Sequence, residues 1–292
     1  MEAQARRLPI ASEIVEAGAR RLADAGIEAP RLDAEIMLAS AAGVSRSAVV
    51  AGMATPDPTA IARFDRMIAR RAGREPLAYI LRRREFFSLD FEVTPDVLIP
   101  RPETEAIVAL ALEFIARRVD SLVLDLGTGS GAIGCAIASN APRARIVACD
   151  ISLAALGVAN RNVDALRLGE RVSLVAGDCL EAFRRNQGFD LIVSNPPYVA
   201  ALEIDTLMPE VRRFEPRIAL SDGADGRSIY RRIAGGANGI LRTDGRLMVE
   251  VGAGQASDVV RIMRIAGLEV ISIANDLAGV ERVVVAAPKP EP

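Results

Sequence analysis

Four consecutive residues, Asn195-Pro196-Pro197-Tyr198, stand where a strand ought to continue. The apolar run Leu191-Ile192-Val193 leads straight into them, yet proline removes ladder donors and fixes φ. What the quartet offers instead is a rigid set of oxygen acceptors. The Asn195 side-chain carbonyl and a backbone carbonyl near Pro196 can accept two hydrogen bonds from one planar NH2 group, and the prolines add no competing N–H. Tyr198 can stack on the planar group that carries the nitrogen. Asn195, Pro196, Pro197 and Tyr198 therefore read as substrate-binding and catalytic residues that clamp an amide or arylamine nitrogen. Two acceptors pulling on both N–H bonds favour partial pyramidalisation and aim the lone pair at an electrophilic carbon held in line. Effective molarities of about 10⁵–10⁸ M let such positioning supply much of a rate.

A second constellation lies upstream. The stretch DLGTGSGAIG, residues 125–134, closes an apolar strand, and glycines at 127, 129 and 131 permit a tight turn and close approach of a ligand to the backbone. Asp150 ends the next strand, at the spacing where a carboxylate can grip two ribose hydroxyls. Asp178-Cys179 ends the third, beside the expected adenine position. Residues 129–134 also match G-x-G-x-x-G, so a dinucleotide site stays open, as does a purely structural turn. Asp125 opposes a pyrophosphate and suits a cationic ligand. S-adenosylmethionine carries an ammonium and a sulfonium and no phosphate. The candidate cofactor-binding residues are Asp125, Gly127, Thr128, Gly129, Ser130, Gly131, Asp150, Asp178, Cys179 and Asn195. Asp178 can equally cap the following helix, and Glu250, ending LMVEVG, either faces the site or pairs with backbone.

Composition narrows the chemistry. The 292 residues contain no histidine, which excludes Ser-His-Asp and Cys-His catalysis, His-ligated zinc and imidazole proton shuttling. No metal site is expected. Half the residues are hydrophobic and a quarter charged, ordinary for a globular protein, and a net charge of −2 argues against a surface that tracks nucleic acid throughout. No apolar run approaches the roughly 20 residues of a membrane span, and the opening MEAQARRLPIASEIVE lacks a secretory leader's apolar core. Three widely spaced cysteines, Cys135, Cys149 and Cys179, fit reduced thiols in a cytoplasm.

The positioning elements follow from periodicity. Residues 1–76 read as a small all-helical domain: Ser12 as N-cap of a helix closing at Gly26, then Pro30 opening one with Leu32, Ile36, Met37 and Leu38 at helical spacing and Gly43 as its stop. Asp57-Pro58 starts a third, with Ile61, Phe64, Met67 and Ile68 on its apolar face. Residues 77–97 alternate about Ser88-Leu89-Asp90 as a β-hairpin linker. From 98 to 288, a helix with Pro102 in its first turn precedes alternating strands and helices. This predicts a doubly wound, mostly parallel sheet with an antiparallel final strand. Residues 289–292 form a tail.

SNPPY with DLGTGSG resembles the amino-methyltransferase group of class I S-adenosylmethionine enzymes. REPLAYIL, EFFSLDFEVTPDVLIPRPETE and VRRFEPRIALSDGADG narrow the likeness to the HemK/PrmC-type glutamine methyltransferases that act on peptide chain release factors, over nearly the whole chain. The resemblance implies a seven-stranded Rossmann-like fold and S-adenosylmethionine as cofactor. It also implies a cytoplasmic enzyme that methylates the glutamine N5 in the Gly-Gly-Gln loop of class 1 release factors, modulating translation termination, with no stable nucleic-acid or membrane partner. Carried over, residues 127–131 cradle the methionine moiety, Asp150 holds the ribose, and Asn195 touches cofactor and substrate. Two positions depart: Cys179 where a large aromatic is common beside adenine, and Arg82 where glycine usually follows YIL.

The rival readings are an adenine-N6 DNA or RNA methyltransferase sharing the clamp, a nicotinamide-dependent oxidoreductase using residues 129–134, and a non-catalytic nucleotide sensor. Aromatics at 4% speak against the first; the second leaves Asn195 to Tyr198 unexplained. Arg82-Arg83-Arg84 reads as a solvated charge run, while Arg63, Arg66, Arg70, Arg71 and Arg74 are candidates for docking an acidic protein.

Overall fold

The computed structural model describes residues 10–185 and 187–289. Residues 1–9, read above for a leader, and residues 290–292 of the tail lie outside them. The chain divides into two compact units. One holds the chain through Arg82 together with Pro209–Phe214; the other holds Arg83–Met208 and the chain from Glu215 onward.

The helical unit comprises α1 (Ala11–Asp24), α2 (Pro30–Ala42), α3 (Arg46–Val50), α4 (Pro58–Ala72) and α5 (Leu77–Leu81). Ile14, Leu22, Met37, Leu38, Phe64 and Ile68 meet in its core, each worth about 1.5–3 kcal/mol on burial. Helix ends follow local chemistry. The Asp57 carboxylate accepts the Ala60 N–H at 2.6 Å, and Gly43 closes α2 in the left-handed region at φ 67°. Ser12 is not the cap expected of it. The cap and the helix start lie two residues earlier, at Ile10 and Ala11, and the Ile10 N–H donates to the Glu13 carboxylate at 3.1 Å. Leu32, expected on the apolar face of α2, is exposed.

Most of the arginines proposed for docking are engaged inside this unit. Arg71 pairs with Asp33 and Glu210, Arg74 with Glu210, and Arg70 with Glu75. Arg63 and Arg66 remain exposed. Arg82 caps α5 with φ 54°, a left-handed geometry that costs any residue but glycine about 1–2 kcal/mol. This accounts for the glycine commonly seen there.

In the second unit β1 (Arg84–Phe86) and β2 (Leu89–Phe91) pair antiparallel. The turn is Phe87-Ser88, both at positive φ, one residue earlier than the alternation suggested. Arg83 makes a bidentate contact with Asp90 across the hairpin, and Arg84 donates to the Pro100 carbonyl, so the expected charge run is partly spent. Phe86 and Phe91 are buried in the core of the sheet unit, so the hairpin segregates with it.

After a 3-10 turn, Pro102–Thr104, come α6 (Glu105–Ile115), β3 (Ser121–Leu126), α7 (Ala132–Asn140), β4 (Ala144–Asp150), α8 (Leu153–Ala165), β5 (Val172–Ala176) and β6 (Phe189–Ser194). The insertion that follows carries α9 (Pro209–Phe214), counted with the helical unit, and α10 (Arg217–Leu220). The chain ends in α11 (Ser228–Ala237), β7 (Leu241–Glu250), α12 (Ala256–Ile265), β8 (Leu268–Asn275) and β9 (Glu281–Pro288). The seven-stranded sheet has order β5-β4-β3-β6-β7-β9-β8, and β9 runs antiparallel to both neighbours.

Strand periodicity sorts the core into two layers. Val123, Leu191, Val193, Met248, Val283 and Val285 face α6 and α7. Their chain neighbours Leu124, Ile192, Leu247, Val249, Val284 and Ala286 face α11 and α12. Both faces being covered, these strands are apolar throughout. The strand order reverses between β3 and β6, so the carboxyl ends of these strands open onto the crevice where such folds bind ligands. Among the described residues, no helix is long and apolar enough to cross a membrane.

Candidate active site

The glycine loop leaves β3 and enters α7, and its conformation explains its composition. Gly127, Gly129 and Gly131 all have positive φ. A Cβ on Gly127 or Gly129 would meet no protein atom within 4 Å, so these positions face open space. Gly134 instead answers a close approach. A Cβ there would lie 3.0 Å from Asp125 Oδ2, the oxygen that accepts the Gly134 N–H at 2.9 Å. The same oxygen accepts the Thr128 hydroxyl at 2.6 Å. Asp125 thus sits fully buried behind the loop and braces it. Its Oδ1 has no partner, and burial pushes its carboxyl up to about 6 against the pull of Thr128 and Gly134.

The loop's amides are largely spent within the protein. Gly127 and Thr128 donate to the Cys149 carbonyl, Gly129 to Asp150 Oδ2 and Gly131 to the Thr128 carbonyl. Asp150, ending β4, takes the Ser152 N–H on its other oxygen. Each carboxylate oxygen keeps a second lone pair for a ligand.

Two adjoining cavities lie beyond the strand ends. The larger, about 290 Å³, runs from Gly127 and Asp150 past Asp178 and Cys179 to Asn195, Pro196 and Pro197. The smaller, about 90 Å³, is walled by residues 127–130, Arg101 and Thr104. Gly127, Asp150 and Asn195 line both. Of the predicted site residues, Asp125, Gly131 and Tyr198 line neither. The Tyr198 ring packs against the α11–α12 core, and its carbonyl accepts Gln255 Nε2 at 3.0 Å. Asp178 does not cap the turn after it. It pairs with Arg232 at 3.0 Å, on the cavity wall. Cys179 lines the same wall at φ 54°, its thiol pushed up by burial.

Asn195 follows β6 directly, and its surroundings hold residues that the sequence alone did not assign. Asn195 Nδ2 donates to Thr104 Oγ1 at 3.1 Å. Glu250, only 2% exposed, has an unpartnered Oε2. Burial pushes its carboxyl up to about 7, opposed by the Thr104 hydroxyl, Arg282 and the Asn195 amide. The register carried the missing signal. Ser194 pairs with Val249, so the next residues, Asn195 and Glu250, fall opposite one another at the strand ends. The insertion supplies further wall. Asp222 collects the N–H groups of Ala224, Gly226 and Ser228, and Glu215 binds Arg101 while accepting the Ile99 N–H. That pair ties VLIPRPETE to the insertion and accounts for both stretches marking one site.

Comparison with known proteins agrees with this architecture. Residues 13–81 match the PrmC N-terminal domain and residues 106–211 the Methyltransferase small domain. A methyltransferase of Pyrococcus furiosus shares the fold at a TM-score of 0.53 and 19% identity, over 70% of this chain and 91% of that one. A release factor glutamine methyltransferase of Geobacter sulfurreducens is 44% identical over 90% of this chain and 91% of its own. One of Bordetella pertussis is 45% identical over 263 residues, 90% of this chain and 96% of its own. At that identity and coverage, the chain belongs to the release factor glutamine methyltransferase family.

Proposed function

We propose that this protein transfers the methyl group of S-adenosylmethionine to the side-chain amide nitrogen of the glutamine in the Gly-Gly-Gln loop of class 1 release factors. The named relatives supply the substrate class, and the site supplies the chemistry.

The residues present suit this cofactor better than a dinucleotide. A pyrophosphate needs free backbone N–H groups at the glycine turn. Here four of those amides are already bonded within the protein, and the fully buried Asp125 carboxylate behind them favours a cation. The side-chain-free space at Gly127 and Gly129 would receive the methionine part, Asp150 the ribose, and the wall at Asp178 and Cys179 the adenine. When bound, S-adenosylmethionine supplies a methyl group already activated by its sulfonium.

The chain's own task is to present a nucleophile. An amide nitrogen is a weak one because its lone pair is delocalised. The Asn195 side-chain carbonyl and a backbone carbonyl near Pro196 accept hydrogen bonds from its two N–H groups and hold the nitrogen at the mouth of the cavity. Tyr198, half-buried in the core beyond the cavity wall, anchors the end of the clamp through its carbonyl. No histidine is present to act as a base, and the product proton passes to water once the nitrogen is alkylated.

The observation that carries this reading is Asn195 lying where the two cavities meet. The test supplies methyl-labelled S-adenosylmethionine with a class 1 release factor, the same factor with its loop glutamine replaced, DNA and tRNA. Label on the unaltered factor alone is expected. Label on nucleic acid alone would transfer the site to the adenine-N6 class.

A further inference from the structure

We propose that Glu250 and Thr104 are positioning residues for the transfer. Together they hold the NH2 end of the Asn195 amide, so that its carbonyl oxygen faces the incoming substrate nitrogen. The inference rests on the methyl-transfer reading above and extends it to two residues outside the tetrapeptide.

A primary amide has two orientations of nearly the same shape, related by a half-turn about its last bond. For a clamp whose target is itself an NH2 group, only one works. The other sets donor against donor and loses the acceptor on which the chemistry depends. Proline fixes the backbone beside Asn195 but leaves this half-turn free, so something else has to choose.

The neighbours of Asn195 make the choice. Its Nδ2 donates to Thr104 Oγ1 at 3.1 Å. A hydroxyl that accepts in this way has its own proton to place, and the Glu250 carboxyl, which falls opposite Asn195 at the neighbouring strand end, is ionised more readily for the presence of that hydroxyl and of the Asn195 amide. A carboxylate only accepts, so it draws the N–H end of the amide and repels the carbonyl end. The amide donates to the hydroxyl, and the carboxylate beyond favours the arrangement in which both turn their hydrogens toward it.

The triad is firmly mounted. Thr104 is 4% exposed and ends a 3-10 turn. Glu250 ends β7, and its backbone carbonyl accepts the Tyr230 hydroxyl at 2.8 Å. Burying a carboxylate with one unpartnered oxygen is costly, and an apolar residue of similar volume would serve the core as well or better. That cost is consistent with a residue retained for its acceptor.

The charged and titratable groups around Glu250 are Arg282 from β9, which favours its ionised form, Glu103 from the 3-10 turn, which opposes it, and the Tyr198 and Tyr230 hydroxyls. Burial outweighs them and brings the carboxyl to about 7. A protonated Glu250 keeps one acceptor oxygen, so acid weakens the hold without abolishing it.

The test uses the full chain and the variants Thr104→Val, Thr104→Ser, Glu250→Leu and Glu250→Gln. In the ligand-free protein, NMR reads solvent exchange of the Asn195 side-chain NH2. Protection in the wild type and its loss in Thr104→Val and Glu250→Leu are expected. With release factor and saturating S-adenosylmethionine, these two variants lose about 10–100-fold in kcat, while cofactor Kd and Tm stay near wild type. Thr104→Ser recovers most of the rate lost in Thr104→Val. The wild-type kcat rises with pH through about 7, whereas Glu250→Gln, an acceptor that does not titrate, stays flat near the wild-type acid plateau. Unchanged protection together with unchanged kcat in Thr104→Val and Glu250→Leu would overturn the proposal. Should the wild type transfer no label to release factor, the methyl-transfer reading falls, and the NH2 protection still decides the positioning claim.

Discussion

Replacing Asp125 by asparagine should stabilise the ligand-free protein at neutral pH and weaken its hold on the cofactor. Asp125 is fully buried, and burial raises its carboxyl from the ordinary 3.8 to about 6. A native state that binds the proton more tightly than the unfolded chain loses stability as pH rises between those two values. The contribution is fully present below about 4, falls through the window, and is gone above about 6. At about 1.4 kcal/mol per pKa unit, the loss is ~3 kcal/mol. In Asp125→Asn, the amide oxygen can keep the bonds from Thr128 and Gly134. The new NH2 replaces the unpartnered Oδ1 and costs about 1–3 kcal/mol at every pH. The difference in unfolding free energy, variant minus wild type, therefore climbs by ~3 kcal/mol from pH 4 to 6.5 and levels off. At about 2–4 °C per kcal/mol, Tm moves by roughly 6–12 °C over that range. Taking the difference cancels the opposing carboxylates, such as Glu210 and Asp222, which their partners hold below the usual range. Urea unfolding followed by tyrosine emission suits the measurement, since the chain has no tryptophan and Tyr198 and Tyr230 report the sheet unit. Calorimetry should show S-adenosylmethionine binding to the wild type weaken below about pH 6, while the variant binds less tightly at pH 7 and ignores pH. A difference curve flat across the whole range would refute the buried charge, and cofactor affinity unaffected by the substitution would refute its purpose.

Asn195→Ala should drop methyl transfer below about 1% of wild type, as removing a positioned hydrogen-bonding group does, while leaving most cofactor affinity; a fully active variant in the labelled-methyl assay would refute the clamp. Asp150→Ala should raise the calorimetric Kd for S-adenosylmethionine by about 10²-fold, through loss of charge-assisted bonds worth about 1.5–3 kcal/mol each; an unaltered Kd would reject its ribose role. Gly226→Ala should lower Tm, because the added Cβ would lie 2.3 Å from the Tyr198 carbonyl at a φ of +71°, and such strain costs about 1–3 kcal/mol. A wild-type Tm there would contradict the packing of the insertion on Asn195–Tyr198.

How much of this the sequence disclosed depends on how far each signal reaches along the chain. Strands and helices from residue 121 onward were legible because apolar residues repeat at period 2 or 3.6 within one element. The glycine loop and the tetrapeptide were legible because each is a contiguous run at a strand end. Boundaries governed by a single side chain were not. Glu13 reaching back to Ile10 moved the start of α1 away from Ser12, and Phe87-Ser88 in the left-handed region moved the hairpin turn. Partnerships between distant residues were least visible. Arg71 and Arg74 read locally as surface charge available for docking, yet Glu210, well over a hundred residues later, binds both. Thr104 was hidden for the same reason, as nothing local distinguishes a buried threonine in a 3-10 turn, and Glu250 stood out as an acid closing an apolar strand but without a partner to decide its role.

Strand order turns that hidden part into a simple arrangement. The switch point sets β6 between β3 and β7, so one amide, Asn195, stands between two carboxylates, Asp125 near the end of β3 and Glu250 at the end of β7. Both acids are raised by burial, and each leaves one oxygen unpartnered. The fold alone gains nothing from that, since paired or apolar side chains would be cheaper in the same positions. Each acid does gain a purpose if the site has to sort charge and dipole without a general base. Asp125 would supply the negative field for a cation held in front of the glycine loop, and Glu250 the acceptor that turns Asn195 the right way round. On this view the missing histidine is no handicap. A reaction between a preactivated methyl group and a held amide nitrogen needs fixed oxygens more than a base, and adjacent strand ends provide them.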